Sequence, residues 1–80
     1  MNVIKRDGSL EAFDKKKIQV AVGKAMTAEG RRDLVEAGRI ADEIEKRANN
    51  HDISVASIEW LVFQLLCERN LERVARAYEG

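Results

Sequence analysis

The chain has 80 residues, 45 % of them hydrophobic, with one cysteine and no proline. Its 14 basic and 14 acidic side chains cancel, so it lacks the global field that draws a protein onto nucleic acid or an anionic membrane. A chain this short makes one small domain, residues 1–80, burying roughly 60 % of its unfolded-state surface. No apolar run approaches the roughly 20 residues of a membrane span, and the first residues do not read as a signal peptide.

The chain opens as a hairpin. Asn2 to Arg6 and Ser9 to Phe13 flank Asp7-Gly8, a pair that supplies the positive φ angles of a two-residue type I′ turn. That turn predicts Lys5 opposite Leu10 and Val3 opposite Ala12 on one face, with Ile4, Arg6, Glu11 and Phe13 on the other. Asp14 then reads as a helix cap, yet Lys15, Lys16 and Lys17 follow it at once. Cations in a first helical turn are unfavourable by roughly 0.3–1 kcal/mol each. Residues 1–24 hold six cations (Lys5, Arg6, Lys15, Lys16, Lys17 and Lys24) against Asp7, Glu11 and Asp14. The positive charge is therefore local.

Ile18, Ala21, Val22, Ala25 and Met26 repeat at helical spacing and predict a first helix with one apolar face. Gly30 ends it. Leu34, Ala37, Ile40, Ala41, Ile44 and Ala48 mark a second helix, with Asp42 to Arg47 as its solvated face, closed by the turn-prone Asn49-Asn50-His51-Asp52. Ile53 falls in a short extended piece suited to a third strand. Ser54 or Ser57 caps a third helix, whose Ile58, Leu61, Val62, Leu65 and Leu66 face inward. Cys67, the lone thiol, reads as a buried helical position and fits a reducing, cytoplasmic setting. Trp60 and Phe63 lie off the stripe, so they either pack beneath the sheet or form an interaction surface. Asn70 breaks the third helix, and Leu71, Val74, Ala75 and Tyr78 begin a fourth. A two-stranded hairpin is not stable alone, so this order predicts an α+β fold with a small sheet laid over a four-helix bundle.

Two readings fit the cations. One is a solvated surface cluster neutralised by Asp7, Glu11 and Asp14. The other is a site for a small polyanion, since a helix N-terminus favours negative ligands. No glycine-rich P-loop is present. His51 has no companion ligand for a metal, and Ser9, Ser54 and Ser57 have no histidine partner for nucleophilic catalysis. An enzyme is not expected.

The run Val3-Ile4-Lys5-Arg6-Asp7-Gly8, followed by Glu11-Ala12-Phe13-Asp14-Lys15-Lys16-Lys17-Ile18, closely resembles the signature that opens ATP-cone domains. These are nucleotide-sensing modules of ribonucleotide reductases and of their zinc-ribbon transcriptional repressor. Ile53-Ser54, Ile58-Glu59 and Val74-Ala75-Arg76-Ala77-Tyr78 resemble later landmarks of the family. The resemblance implies a four-helix bundle covered by a three-stranded sheet, with ATP or dATP bound between them. It implies that Val3 and Ile18 flank the base and that Glu11 hydrogen-bonds it. Lys5 and Arg6 are expected at phosphate and Lys17 at ribose or phosphate, and Ile4 and Asp14 of the same signature are also expected among the nucleotide-binding residues. Val55 and Glu59 occupy third-helix positions that touch sugar or phosphate in some members. Glu59 is an acid, which a phosphate tolerates when a metal such as Mg²⁺ intervenes.

Family members continue the last helix with basic residues that reach phosphate; here Glu79-Gly80 ends the chain, so the helix is expected to be truncated. The chain is expected to be either a domain of a larger protein or a free-standing cone. The expected output is allosteric: nucleotide identity changes packing against other cones, in a homo-oligomer, or against a catalytic subunit. The alternative is an interaction module whose cationic patch meets an acidic protein or nucleic acid; zero net charge argues against nucleic acid.

Overall fold

The computed structural model describes all of residues 1–80. Three short strands and four helices follow in the order β1 (Asn2–Ile4), β2 (Leu10–Ala12), α1 (Lys15–Ala28), α2 (Leu34–Ala48), β3 (Ile53–Ser54), α3 (Val55–Glu68) and α4 (Glu72–Glu79). The class is α+β, as predicted. The sheet is mixed, ordered β2-β1-β3, with β1 antiparallel to β2 and parallel to β3.

The hairpin differs from its predicted form by one residue. Val3 pairs with Glu11 and Ile4 with Leu10, where the two-residue turn had set Val3 against Ala12 and Lys5 against Leu10. The connection is a three-residue loop. Gly8 N–H donates to the Lys5 carbonyl at 2.9 Å and Lys5 N–H to the Ser9 carbonyl at 2.8 Å. Only Gly8 adopts a positive φ, +87°, which matches a type I turn followed by a left-handed residue. Asp7 fastens the loop by accepting from Ser9 N–H at 2.9 Å and from Ser9 Oγ at 2.6 Å. These bonds, the hydroxyl first, hold its carboxyl below the usual carboxylate range. A one-residue change of register reassigns every side chain to the other face. Val3, Lys5, Glu11 and Phe13 now share a face, and Val3, Phe13 and the β3 residue Ile53 pack against the helical core. Ile4 and Leu10 form the outer face and are exposed.

The helices follow their predicted stripes except at Leu34, which opens α2 and is exposed because the first turn of that helix projects beyond the core. Asp14 caps α1, accepting from Lys16 N–H at 3.0 Å; Asp33 caps α2, and Ser54, not Ser57, caps α3. Asn49 and Asn70 take left-handed conformations at the ends of α2 and α3, a geometry asparagine tolerates better than most residues. The core unites Ile18, Val22 and Met26 of α1, Ile40 and Ile44 of α2, Val62, Leu65 and Leu66 of α3, and Val74 and Ala75 of α4. No polar or charged residue is buried. Gly23 marks a close approach of α2 to α1: a Cβ there would stand 3.0 Å from Leu34 Cδ2. Cys67, expected to be buried, is half-buried at the margin of the core, because it lies one position beyond the inward Leu65-Leu66 pair. Trp60 is 62 % exposed and does not pack beneath the sheet, whereas Phe63 leans on the core. No helix is long and apolar enough to cross a membrane.

Candidate functional site

The crowded first turn of α1 is resolved by partners from elsewhere in the chain. Lys15 Nζ reaches across to α2, 3.1 Å from Asp42 Oδ1 and 3.5 Å from Glu45 Oε1. Asp42 foremost, with Glu45, raises the Lys15 pKa. Lys17 turns the other way and pairs with Glu11 on β2. The hydrogen bond and charge of Lys17, with a smaller contribution from Lys5, hold Glu11 below its usual range, and Glu11 in turn raises Lys17. Lys15 and Lys17 thus do different jobs, because two steps of about 100° each send them to opposite sides of the helix.

The backbone contributes less to anion binding than a bare helix end does. Asp14 already accepts the Lys16 N–H, and Lys17 N–H donates to the Asp14 carbonyl at 3.1 Å. Asp14 acts here as a cap, and attraction for an anion falls to side chains. Its own negative charge also satisfies the positive end of the helix dipole.

The helix-facing side of the sheet presents Val3 beside Glu11, with Lys5 two residues further along the same face. Glu11 reaches Lys17 on the first turn of α1, one residue before the buried Ile18. Glu11 and Lys17 are thereby brought together, with Val3 and Lys5 on the same sheet face as Glu11 and Ile18 next to Lys17 on α1. Ile4 is not among them; it lies on the outer face, 36 % exposed. Val55 opens α3 directly after β3 and is half-buried. Arg6, in the hairpin loop, reaches α3 instead: its Nη2 stands 2.6 Å from Glu59 Oε1.

That ion pair borders a cleft of about 480 Å³ between α3 and α4, lined by Arg6, Ala56, Glu59, Trp60, Phe63, Gln64, Tyr78 and Glu79. Its aromatic wall includes Trp60 and Phe63, the two off-stripe residues for which the sequence allows an interaction surface. Tyr78, on the apolar stripe of the fourth helix, lies four residues beyond the buried Val74 and is partly buried at the core margin. A shallower groove along α1 holds Asp14 and Lys17 with Lys16, Val20, Ala21 and Lys24. No three His, Cys, Asp or Glu side chains come close enough together to hold a metal ion.

An exposed set of cations beside a carboxylate, drawn from a small sheet and the first turn of a helix, suits a small polyanionic ligand with a hydrogen-bonding head group. That is the class of the nucleotide-binding regulatory domain. The family model for the ATP cone domain matches residues 1–79, and the chain belongs to that family. No curated protein matches it. As an ATP cone it is a non-catalytic regulatory module for adenine nucleotides.

Proposed function

We propose that this cone binds ATP or dATP where the sheet covers the helices, and that the bound nucleotide controls assembly with other cones or with a ribonucleotide reductase catalytic subunit in the cytoplasm. In this reading Val3 and Ile18 flank the adenine. Glu11, released by Lys17, accepts a hydrogen bond from the adenine amino group. Lys5 and Arg6 take phosphate oxygens, Lys17 takes ribose or phosphate, and Val55 and Glu59 border the sugar and phosphates. Asp14 holds the start of α1 rather than the ligand, and Ile4 supports β1 from its outer face.

The observation that carries the reading is the Glu11–Lys17 pair beside Lys5. Its side chains are 40 % and 67 % exposed, so both partners remain within reach of a ligand. Exposed ion pairs are held weakly. A nucleotide offers each partner a better match, phosphate or ribose for the ammonium and an N–H donor for the carboxylate. At this pair binding is then an exchange of partners, in which neither Glu11 nor Lys17 is left alone. Magnesium carried by the phosphates fits the donor set, since it commonly takes one or two carboxylates together with phosphate oxygens, and Glu59 is the carboxylate beside Arg6.

Allosteric output requires the two nucleotides to bind the assembled and free states differently. A tenfold shift in assembly needs a difference of only about 1.4 kcal/mol. Calorimetric titration with ATP, dATP and GTP tests the binding; heat from the adenine nucleotides but not from GTP is expected. Failure of both adenine nucleotides to bind overturns the reading. Sedimentation in ATP and in dATP then tests the output, and an identical monomer in both places it in contacts with another chain.

A further inference from the structure

Arg6 belongs to two places. It stands in the hairpin loop next to Lys5, and it also lines the cleft between α3 and α4 through its 2.6 Å contact with Glu59. This pair is the side-chain bridge between the hairpin loop and α3, and it is solvent-exposed on both sides, 69 % at Arg6 and 47 % at Glu59. Beyond Glu59 lies Tyr78. Its hydroxyl is pushed above the usual tyrosine range by burial first and then by the negative charge of Glu59. Trp60 follows Glu59 in sequence, is 62 % exposed, and is the only tryptophan of the chain.

We propose that the Arg6–Glu59 ion pair is a latch opened by the phosphates of a bound nucleotide, which turns the α3/α4 cleft into a reporter of site occupancy. The inference rests on the nucleotide reading above and adds to it the route by which binding is felt elsewhere. A phosphate chain within reach of the Arg6 guanidinium is also within a few ångströms of the Glu59 carboxylate. Like charges at that separation repel, whereas guanidinium and phosphate form strong charge-assisted hydrogen bonds. Arg6 therefore changes partner and Glu59 loses its counter-ion. The freed carboxylate stays in the cleft beside Tyr78 and Trp60, which becomes more negative when the site fills. Glu59 is thus a competitor for Arg6 in the empty state and the transmitting charge in the filled one. The two arrangements supply the two-state element that coupling between sites needs.

The test compares wild type with Glu59→Gln, an exposed and nearly isosteric change, using ATP in EDTA so that no metal masks the carboxylate. Calorimetry reads affinity and Trp60 fluorescence reads the cleft. Wild type is expected to bind ATP with a clear change in Trp60 emission. Glu59→Gln is expected to bind about fivefold more tightly, the scale of one exposed ion pair removed from competition, with less than half of the emission change. Unchanged or weaker binding by Glu59→Gln overturns the latch, as does an undiminished Trp60 response. Absence of ATP heat from both proteins instead overturns the nucleotide reading on which the latch stands.

Discussion

The helices carry cations at both of their ends, and the two ends use them in opposite ways. At the end away from the sheet, Arg31, Arg32 and Arg69 line a groove of about 530 Å³ with Asp33, Glu36, Met26 and Leu71. There Arg69 pairs with Glu36 and also donates to the Leu65 carbonyl at 3.4 Å. The side chains of that pair are only 31 % and 25 % exposed. At the sheet end, the Glu11–Lys17 and Arg6–Glu59 pairs are far more open, and their carboxylates come from different elements, β2 and α3. Both ends have positive charge, so charge density does not by itself mark a site. The difference lies in how firmly each cation is already held. The less exposed Arg69–Glu36 pair is screened less by water, and it ties α2 to the end of α3. Pairs in water exchange partners readily, and they leave the hairpin able to accept a ligand.

If the sheet end is the ligand end, nucleotide stabilises the whole fold through it. A ligand bound only by the native state adds about 2.7 kcal/mol at a hundredfold excess over Kd. For a domain of this size that corresponds to a rise in melting temperature of roughly 10–20 °C. Thermal unfolding with and without millimolar ATP measures it, and no rise with either ATP or dATP erases the distinction between the ends.

Substitution sharpens the comparison. Lys5→Ala is expected to weaken ATP binding by roughly 1.5–3 kcal/mol, the worth of a charge-assisted contact, while Lys16→Ala, one residue and about 100° from Lys17 on α1, produces only a small screened effect. Arg69→Ala is expected to do the reverse, lowering stability by about 1 kcal/mol, the upper end for a pair still in contact with water, and leaving ATP affinity unchanged. Calorimetry and denaturant unfolding of the three variants separate the outcomes. Equal loss of affinity for Lys5→Ala and Lys16→Ala means a diffuse electrostatic patch, and loss of affinity in Arg69→Ala means that the ends are coupled.

The smallest expected effect is in pH. Glu11 has a depressed carboxyl pKa, so its contribution to stability is present above the unfolded-state value and is lost as pH falls through the lower folded one. Lys17 has a raised pKa, so its contribution is present below the unfolded-state value and disappears as pH rises through the higher folded one. Between about pH 5 and pH 10 the pair is fully formed. The stability difference between wild type and Lys17→Met is therefore expected to be flat across that window and to shrink below about pH 4. A difference that varies steadily between pH 5 and pH 8 contradicts the pairing.

Much of this molecule is written in local pattern. Ile18, Val22 and Met26 on α1, or Ile58, Val62 and Leu65 on α3, recur at helical spacing and can be buried only on one face. Asp14 and Ser54 precede those stripes as caps, and Asn49 and Asn70 end helices because their side chains accept left-handed backbone. The signature from Val3 to Ile18 carries the family in the same local way. The hairpin register does not belong to this class. Asp7-Gly8 fits a two-residue or a three-residue loop, and the loop alone does not choose. The choice follows from Val3 and Phe13 both packing on the helical core, which forces them onto one face and brings Glu11 and Lys5 with them. The pairings that distinguish the cations are equally nonlocal: Lys15 finds Asp42 and Glu45 on α2, and Arg6 finds Glu59 on α3, 53 residues away. Periodicity and capping act within one or two turns of chain, so they are legible residue by residue. Register and ion-pair partners depend on which distant surfaces the burial of apolar side chains brings together, and only the packed tertiary structure decides them.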